Sequence, residues 1–308
     1  MLSKCIPVIF GCESTALSTD EIDFFQRSHP YGYILFKRNI EHPEQVIRLV
    51  DQLRTAAGWA CPILIDQEGG RVARLRPPHW PEFRSMEALV ANLPEKEAIA
   101  QVYANAKHIG ETLIALGITV DCAPVCDLKI PGAHDIVGDR SFGSDPAMVA
   151  TLALAMCRGL HDAGVMPIIK HIPGHGRAHV DSHEMLPVVT DALDVLEATD
   201  FNVFSRMNQQ TCWAMTAHVV YTALDPLYPA TLSKKVIGYI RDTIGFKGIL
   251  VSDDLSMKAL SGDLGVLAVD ALHAGCDLAL HCNGKMDEMQ IITTALQNSD
   301  IPTKHAAL

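Results

Sequence analysis

No C-x-x-C pair occurs anywhere in these 308 residues, although nine cysteines are scattered along them. The odd count and the scatter predict reduced, structural thiols, with Cys122 and Cys126 in a stretch that reads as a strand and its end. An excess of basic residues is also missing: the formal net charge is −11. That balance argues against a nucleic-acid or anionic-membrane surface, so any anion would have to be held by a few placed arginines. The opening stretch, Met1 to Gly11, has one lysine and no small-residue cleavage pattern. It is too short for a signal peptide or a membrane span, so a cytosolic protein is expected. No G-x-G-x-x-G follows the first apolar run, and the Gly69-Gly70 pair comes only after the third, which leaves a dinucleotide-binding fold little support. Internal repeats, low-complexity tracts and linkers are absent as well.

What is present is a regular alternation. Eight short aliphatic and β-branched runs occur at Ile6 to Gly11, Gly32 to Phe36, Pro62 to Ile65, Thr119 to Pro124, Met166 to Lys170, Cys212 to Ala217, Gly248 to Ser252 and Leu278 to His281. Between them lie segments with helical apolar spacing, among them Glu44 to Thr55, Glu97 to Leu116, Ala147 to Ala163, Leu193 to Asn208, Lys234 to Thr243 and Val266 to Ala274. Near-continuous apolar strands, each followed by a helix, predict a parallel sheet covered by helices. Eight such units predict an α/β fold of the closed (β/α)8 TIM-barrel type, one catalytic domain over residues 1–308, with an open doubly wound sheet as the alternative. The longest irregular connections, Asp127 to Asp145 and His171 to Asp191, follow strands four and five, at the face where barrels keep their active sites.

The segment Lys170 to Glu184 reads K-H-I-P-G-H-G-R-A-H-V-D-S-H-E and holds four of the 14 histidines. His171, His175, His179 and His183 recur every four residues, which on a helix would form a metal stripe, but Pro173, Gly174 and Gly176 forbid that helix. A strand ending in Lys170 and His171 remains, followed by a glycine-hinged loop carrying Asp181 and His183. Two residues apart in an extended loop, Asp181 and His183 can face the same way, so the carboxylate can fix the imidazole tautomer. A surface pair that caps the next segment is the plain alternative. Lys170 could donate to a substrate, form a Schiff base or partner a neighbouring acid, and the adjacent acids argue against the depressed pKa that a Schiff base needs.

Other strand ends carry further candidates. Asp66, Glu68, Arg71 and Arg74 follow strand three, where a carboxylate beside arginines suits polyol recognition, unless Asp66 or Glu68 only caps a turn or pairs with Arg71. Arg140, in the connection after strand four, could reach the pocket or tie its loop to Asp139 or Asp145. Asp253 and Asp254 end strand seven. Consecutive strand residues point to opposite sides, so Asp253 is the candidate nucleophile, and Asp254 is expected to cap the following helix or hold a neighbour. His218, His281 and Asn283 complete the rim as hydrogen-bonded polar residues.

Taken together, L-I-D-Q-E-G-G-R-V-A-R (Leu64 to Arg74), G-D-R-S-F (Gly138 to Phe142), K-H-I-P-G-H-G with D-S-H (Lys170 to His183) and S-D-D-L-S-M (Ser252 to Met257) resemble the bacterial β-N-acetylglucosaminidases of glycoside hydrolase family 3. The resemblance spans the chain and implies a (β/α)8 barrel that removes terminal β-linked N-acetylglucosamine with retention. It implies Asp253 as nucleophile, His183 as acid/base with Asp181 as its partner, and Asp66, Arg74, Arg140, Lys170 and His171 as sugar-binding residues. It further implies a peptidoglycan-recycling role on muropeptides. Beside it, a monomer with no cofactor and no metal is expected, and the charge balance leaves no nucleic-acid or membrane partner. Ile172 stands where the family often has phenylalanine, a change expected to alter packing only. Retaining glycosidases ordinarily use two carboxylates, so here an imidazole would take the acid/base place. The main rival is a metal-dependent hydrolase on the same barrel, which lacks an H-x-H at the end of strand one. A lysine-dependent aldolase and a non-catalytic sugar sensor are the others.

Overall fold

The computed structural model describes residues 5–207 and 212–301. Eight parallel strands close into a barrel: β1 (Ile6–Phe10), β2 (Pro30–Leu35), β3 (Ile63–Ile65), β4 (Val120–Asp121), β5 (Met166–Ile172), β6 (Trp213–Thr216), β7 (Leu250–Asp254) and β8 (Leu278–His281). Each pairs with its sequence neighbours, and β1 closes the ring on β8 with Val8 opposite Ala279. All eight predicted runs supply one strand each, in order.

Apart from a few partly buried end positions, such as Asp253 and Asp254, both faces of the strands are buried, which is why the runs are largely apolar rather than alternating. Inward residues, including Ile9, Leu64, Val120, Ile168, Met215, Val251 and Leu278, fill the barrel. Their outward neighbours, including Phe10, Tyr33, Ile65, Ile169, Leu250 and Ala279, pack beneath the helices. Each fully buried aliphatic side chain contributes about 1.5–3 kcal/mol. Ile172 is fully buried in the outer layer, and all nine cysteines are free, eight of them buried.

Helices follow the strands at Thr19–Ser28, Pro43–Ala57, Glu95–Ile114, Pro146–Asp162, Lys234–Asp242, Leu264–Ala274 and Met286–Gln297. Local chemistry sets several starts. Ser18 and Glu21 form a reciprocal capping box, while Asp145, Ser233 and Asp263 each accept a first-turn N–H, so orphan donors are satisfied before the helix propagates.

The expected helix from Leu193 to Asn208 is a correction. It is two helices, Leu193–Ala198 and Asp200–Met207, and Asn208 lies outside the described residues. Thr199 leaves helical geometry at φ −121° and ψ −93°. The break delivers Asp200 to Arg177, whose Nε donates to Oδ2 at 2.6 Å. Leaving that buried acid without its partner would be strongly destabilising. Among the described residues, no helix is long and apolar enough to cross a membrane.

Candidate active site

The C-terminal ends of the strands surround a cavity of about 280 Å³. Asp66, Arg74, Arg140, Lys170, His171, His183 and Asp253 all line it. Asp181 stands behind His183 rather than in the wall.

Its floor is an ion network that connects the ends of β3 and β5 to the loop after β4. Lys170, at the end of β5 and 2% exposed, donates through Nζ to Asp66 Oδ1 at 2.9 Å and to Glu68 Oε1 at 2.6 Å. Arg74 Nη2 donates to Asp66 Oδ2 at 2.9 Å, and its guanidinium lies 5.1 Å from the centre of the Phe36 ring, a cation–π contact. Arg140 grips Glu68 through Nε and Nη2, each at 2.8 Å. Burial opposes the charge on Lys170, but the two carboxylates outweigh it and raise its pKa. The amine is therefore held protonated, which leaves no lone pair for Schiff-base chemistry. Asp66 is likewise held well below the usual carboxylate range, because Lys170 and Arg74 outweigh its burial.

One step along, Asp127, in the connection after β4, is buried and organises the start of the β5 loop. It accepts from His171 Nδ1 at 2.6 Å, from the His171 backbone N–H at 3.2 Å and from the His175 backbone N–H at 2.6 Å. The ring bond fixes the tautomer and leaves Nε2 as the imidazole atom available to the cavity. Burial works against the Asp127 charge, yet His171 and His175 bring its carboxyl down to about 2.

Opposite, Asp253 accepts the Asp254 backbone N–H at 2.8 Å. Its burial favours the neutral acid, but His218, His171 and that N–H together lower the pKa and hold it ionised. His218 is buried, with Nδ1 2.7 Å from Thr231 Oγ1 and Nε2 donating to the Asp254 carbonyl at 3.0 Å. His281 and Asn283 both pair with Glu288. These rim residues are hydrogen-bonded, as expected from their positions.

The fourth part arrives on the β5 loop. Gly174 has φ 141°, and a Cβ there would lie 2.8 Å from that of Asp200, so only glycine fits the turn. Arg177 then staples the loop to Asp191 at 2.8 Å and to Asp200. At the tip, Asp181 Oδ1 accepts both the His183 backbone N–H and Nδ1, each at 2.8 Å. The His183 side chain is 61% exposed. The His183 backbone N–H heads the contacts that offset desolvation and lower the Asp181 pKa.

Two alternatives fall away and one reading changes. Arg71 does not pair with Glu68: it binds Asp139 at 2.9 Å and donates to the carbonyls of Asp135, Ile136 and Val137, clamping the β4 loop. Arg140 is tied to neither Asp139 nor Asp145, and Asp145 instead caps the next helix. Asp254 lines the cavity beside Asp253, because the β7–β8 register shifts between Val251 and Asp254. Its oxygens are committed to Ser256 and to the Cys282 backbone N–H, so it holds a neighbour, and Asp263 caps the helix. Glu68 and Asp127 are the important residues that sequence reasoning did not assign. The only hint was an acid at a strand end. Among the described residues, no group of three or more His, Cys, Asp or Glu side chains is placed to hold a metal ion.

Comparison with known proteins adds a family to this geometry. Residues 16–307 match the Glycosyl hydrolase family 3 N terminal domain. A beta-hexosaminidase of Alkalilimnicola ehrlichii is 38% identical over 287 residues, covering 90% of this chain and 80% of that protein. One from Pseudomonas aeruginosa is 37% identical over 290 residues, covering 92% and 84%. Among solved structures, NagZ from Neisseria gonorrhoeae in complex with N-trifluoroacetyl-D-glucosamine superposes with a TM-score of 0.88 at 32% identity, over 97% of this chain and 86% of that one. A glycoside hydrolase family 3 beta-N-acetylglucosaminidase from Paenibacillus gives 0.87 at 35% identity. It covers 94% of this chain, which spans just over half, 56%, of that longer protein.

Proposed function

The chain belongs to glycosyl hydrolase family 3, and on that premise we propose that it is a retaining exo-β-N-acetylglucosaminidase. The observation that carries the reading is the pairing, in one cavity, of an ionised carboxylate at Asp253 with an imidazole at His183. A nucleophile and a proton carrier are the two parts a retaining glycosidase requires.

Asp253 attacks the anomeric carbon as His183 protonates the departing glycosidic oxygen, leaving a glycosyl ester on Asp253. Water then attacks the same carbon, His183 takes its proton, and the ester bond breaks to free the aspartate. Two inversions give net retention. Asp181 holds the His183 ring through Nδ1, so that Nε2 carries the proton in both halves. Asp66, Arg74, Arg140, Lys170 and His171 bind the sugar. The five charged groups Asp66, Glu68, Arg74, Arg140 and Lys170 comprise three cations and two acids, leaving donors for hydroxyl oxygens.

The substrate is a muropeptide ending in N-acetylglucosamine linked to anhydro-N-acetylmuramic acid, with or without its stem peptide. The setting is cytoplasmic peptidoglycan recycling by a monomer without cofactor. The deciding experiment is NMR of the first product formed from this disaccharide. β-N-acetylglucosamine as the initial anomer supports the reading, and the α-anomer or an intact disaccharide overturns it.

A further inference from the structure

Between Asp127 and the loop tip lies one contact that the mechanism above leaves unused. His175 is 3% exposed and lies edge-to-face with His171, ring centres 5.6 Å apart. Its backbone is held by Asp127, and its Nε2 lies 3.1 Å from Ser182 Oγ. Ser182 sits between Asp181 and His183. Across residues 179–186 it is the one buried residue, while His183, Glu184 and Met185 are exposed. It is held from a second side, where its carbonyl accepts the Ala259 backbone N–H at 3.1 Å. Ser182 therefore ties the tip to the barrel at two points, its side chain through His175 and its carbonyl through Ala259.

We propose that His175 is a positioning residue: through Ser182 Oγ it sets where the Asp181–His183 pair stands over the cavity. This rests on the reading of that pair as acid/base. The same Asp127 carboxylate fixes His171 and the backbone of His175, so the sugar-binding base and the support of the loop tip share one anchor. Burial, with His171 adding to it, pushes the His175 imidazole down to about 4, so it is neutral at neutral pH and bonds Ser182 without adding charge.

The test is kcat/KM on two β-N-acetylglucosaminides, one with phenol and one with dinitrophenol as leaving group. This parameter reports the first bond cleavage, and only the phenyl glycoside needs full protonic help there. His183→Ala shows whether the assay detects the acid. Ser182→Ala and His175→Leu are expected to lose about 10- to 100-fold on the phenyl glycoside, the cost of a misplaced group, and about tenfold less on the dinitrophenyl one. Ser182→Thr and His175→Gln, which retain a hydrogen-bonding group, recover most of the loss, and the double variant Ser182→Ala/His175→Leu is no worse than the poorer single. Equal losses on both glycosides in a folded Ser182→Ala, or no loss, overturn the inference while His183→Ala still discriminates. If His183→Ala does not discriminate, the acid/base reading itself fails, and the inference with it.

Discussion

The two ends of the β5 connection solve opposite problems. At its base, Lys170 and His171 are 2% and 8% exposed, and each is bound to buried carboxylates. At its tip, His183 is mostly solvated and is paired with Asp181. A sugar must be met by donors that do not move, and burying an ion pair makes its loss so costly that the geometry stays fixed. A proton carrier must reach the departing oxygen in one half-reaction and the attacking water in the other, so an accessible position serves it. One loop of about twenty residues thus spans both regimes, and variants at either end should fail differently.

The largest effect is expected at neither end but at the group both serve. Asp253→Ala should lower kcat by about 10⁴-fold or more, as removal of a nucleophile does. Mass spectrometry of the wild type with a slow fluorinated substrate should find a sugar on the peptide containing Asp253, and label on any other residue would remove Asp253 from its role. Next comes Glu68→Ala, which strands Arg140 and leaves Lys170 with Asp66 alone, and should cost about 3–5 kcal/mol in urea unfolding. A loss below about 1 kcal/mol would mean that the base is not held by its ion network.

His183→Ala provides the opposite pattern: activity should fall about 10²- to 10³-fold, with stability within about 0.5 kcal/mol of wild type. A comparable loss of stability would erase the contrast between the two ends. The smallest effect is on acid stability. Asp127 titrates at about 2 in the fold against a reference of 3.8. A depressed carboxyl stabilises above its unfolded pKa, and that contribution is lost as pH falls from about 4 toward 2. His175, lowered from 6.5 to about 4, acts in the same direction: the unfolded chain binds its proton first, so stability falls across that window on acidification. Asp127→Asn should therefore flatten the stability curve below pH 4 by about 2 kcal/mol, and an unchanged slope there would show that His171 does not depend on it.

Most of the barrel was legible because its strands are buried on both faces and each forms a continuous apolar run that periodicity detects. The break at Thr199 was not, since apolar spacing continues through it and the partner that Asp200 meets there, Arg177, is distant in sequence. Candidate residues were legible wherever a charged side chain ended a strand: Asp66, Lys170 and Asp253 all line the cavity. Their roles came from the family resemblance. Glu68 could not be assigned, because its partners Arg140 and Lys170 lie 72 and 102 positions away and nothing local distinguishes it from a turn acid. Asp254 was misread in part, because a register shift in the β7–β8 ladder overrides simple alternation.

Asp181 grips His183 at two atoms with a single oxygen, one backbone and one ring. The aligned imidazole is therefore a rigid body of three consecutive residues whose internal coordinates do not depend on where the loop stands. Such a unit can swing, or be grafted onto a connection of another length, and still present the same nitrogen. Loop length is then free to vary without altering how the imidazole is aligned.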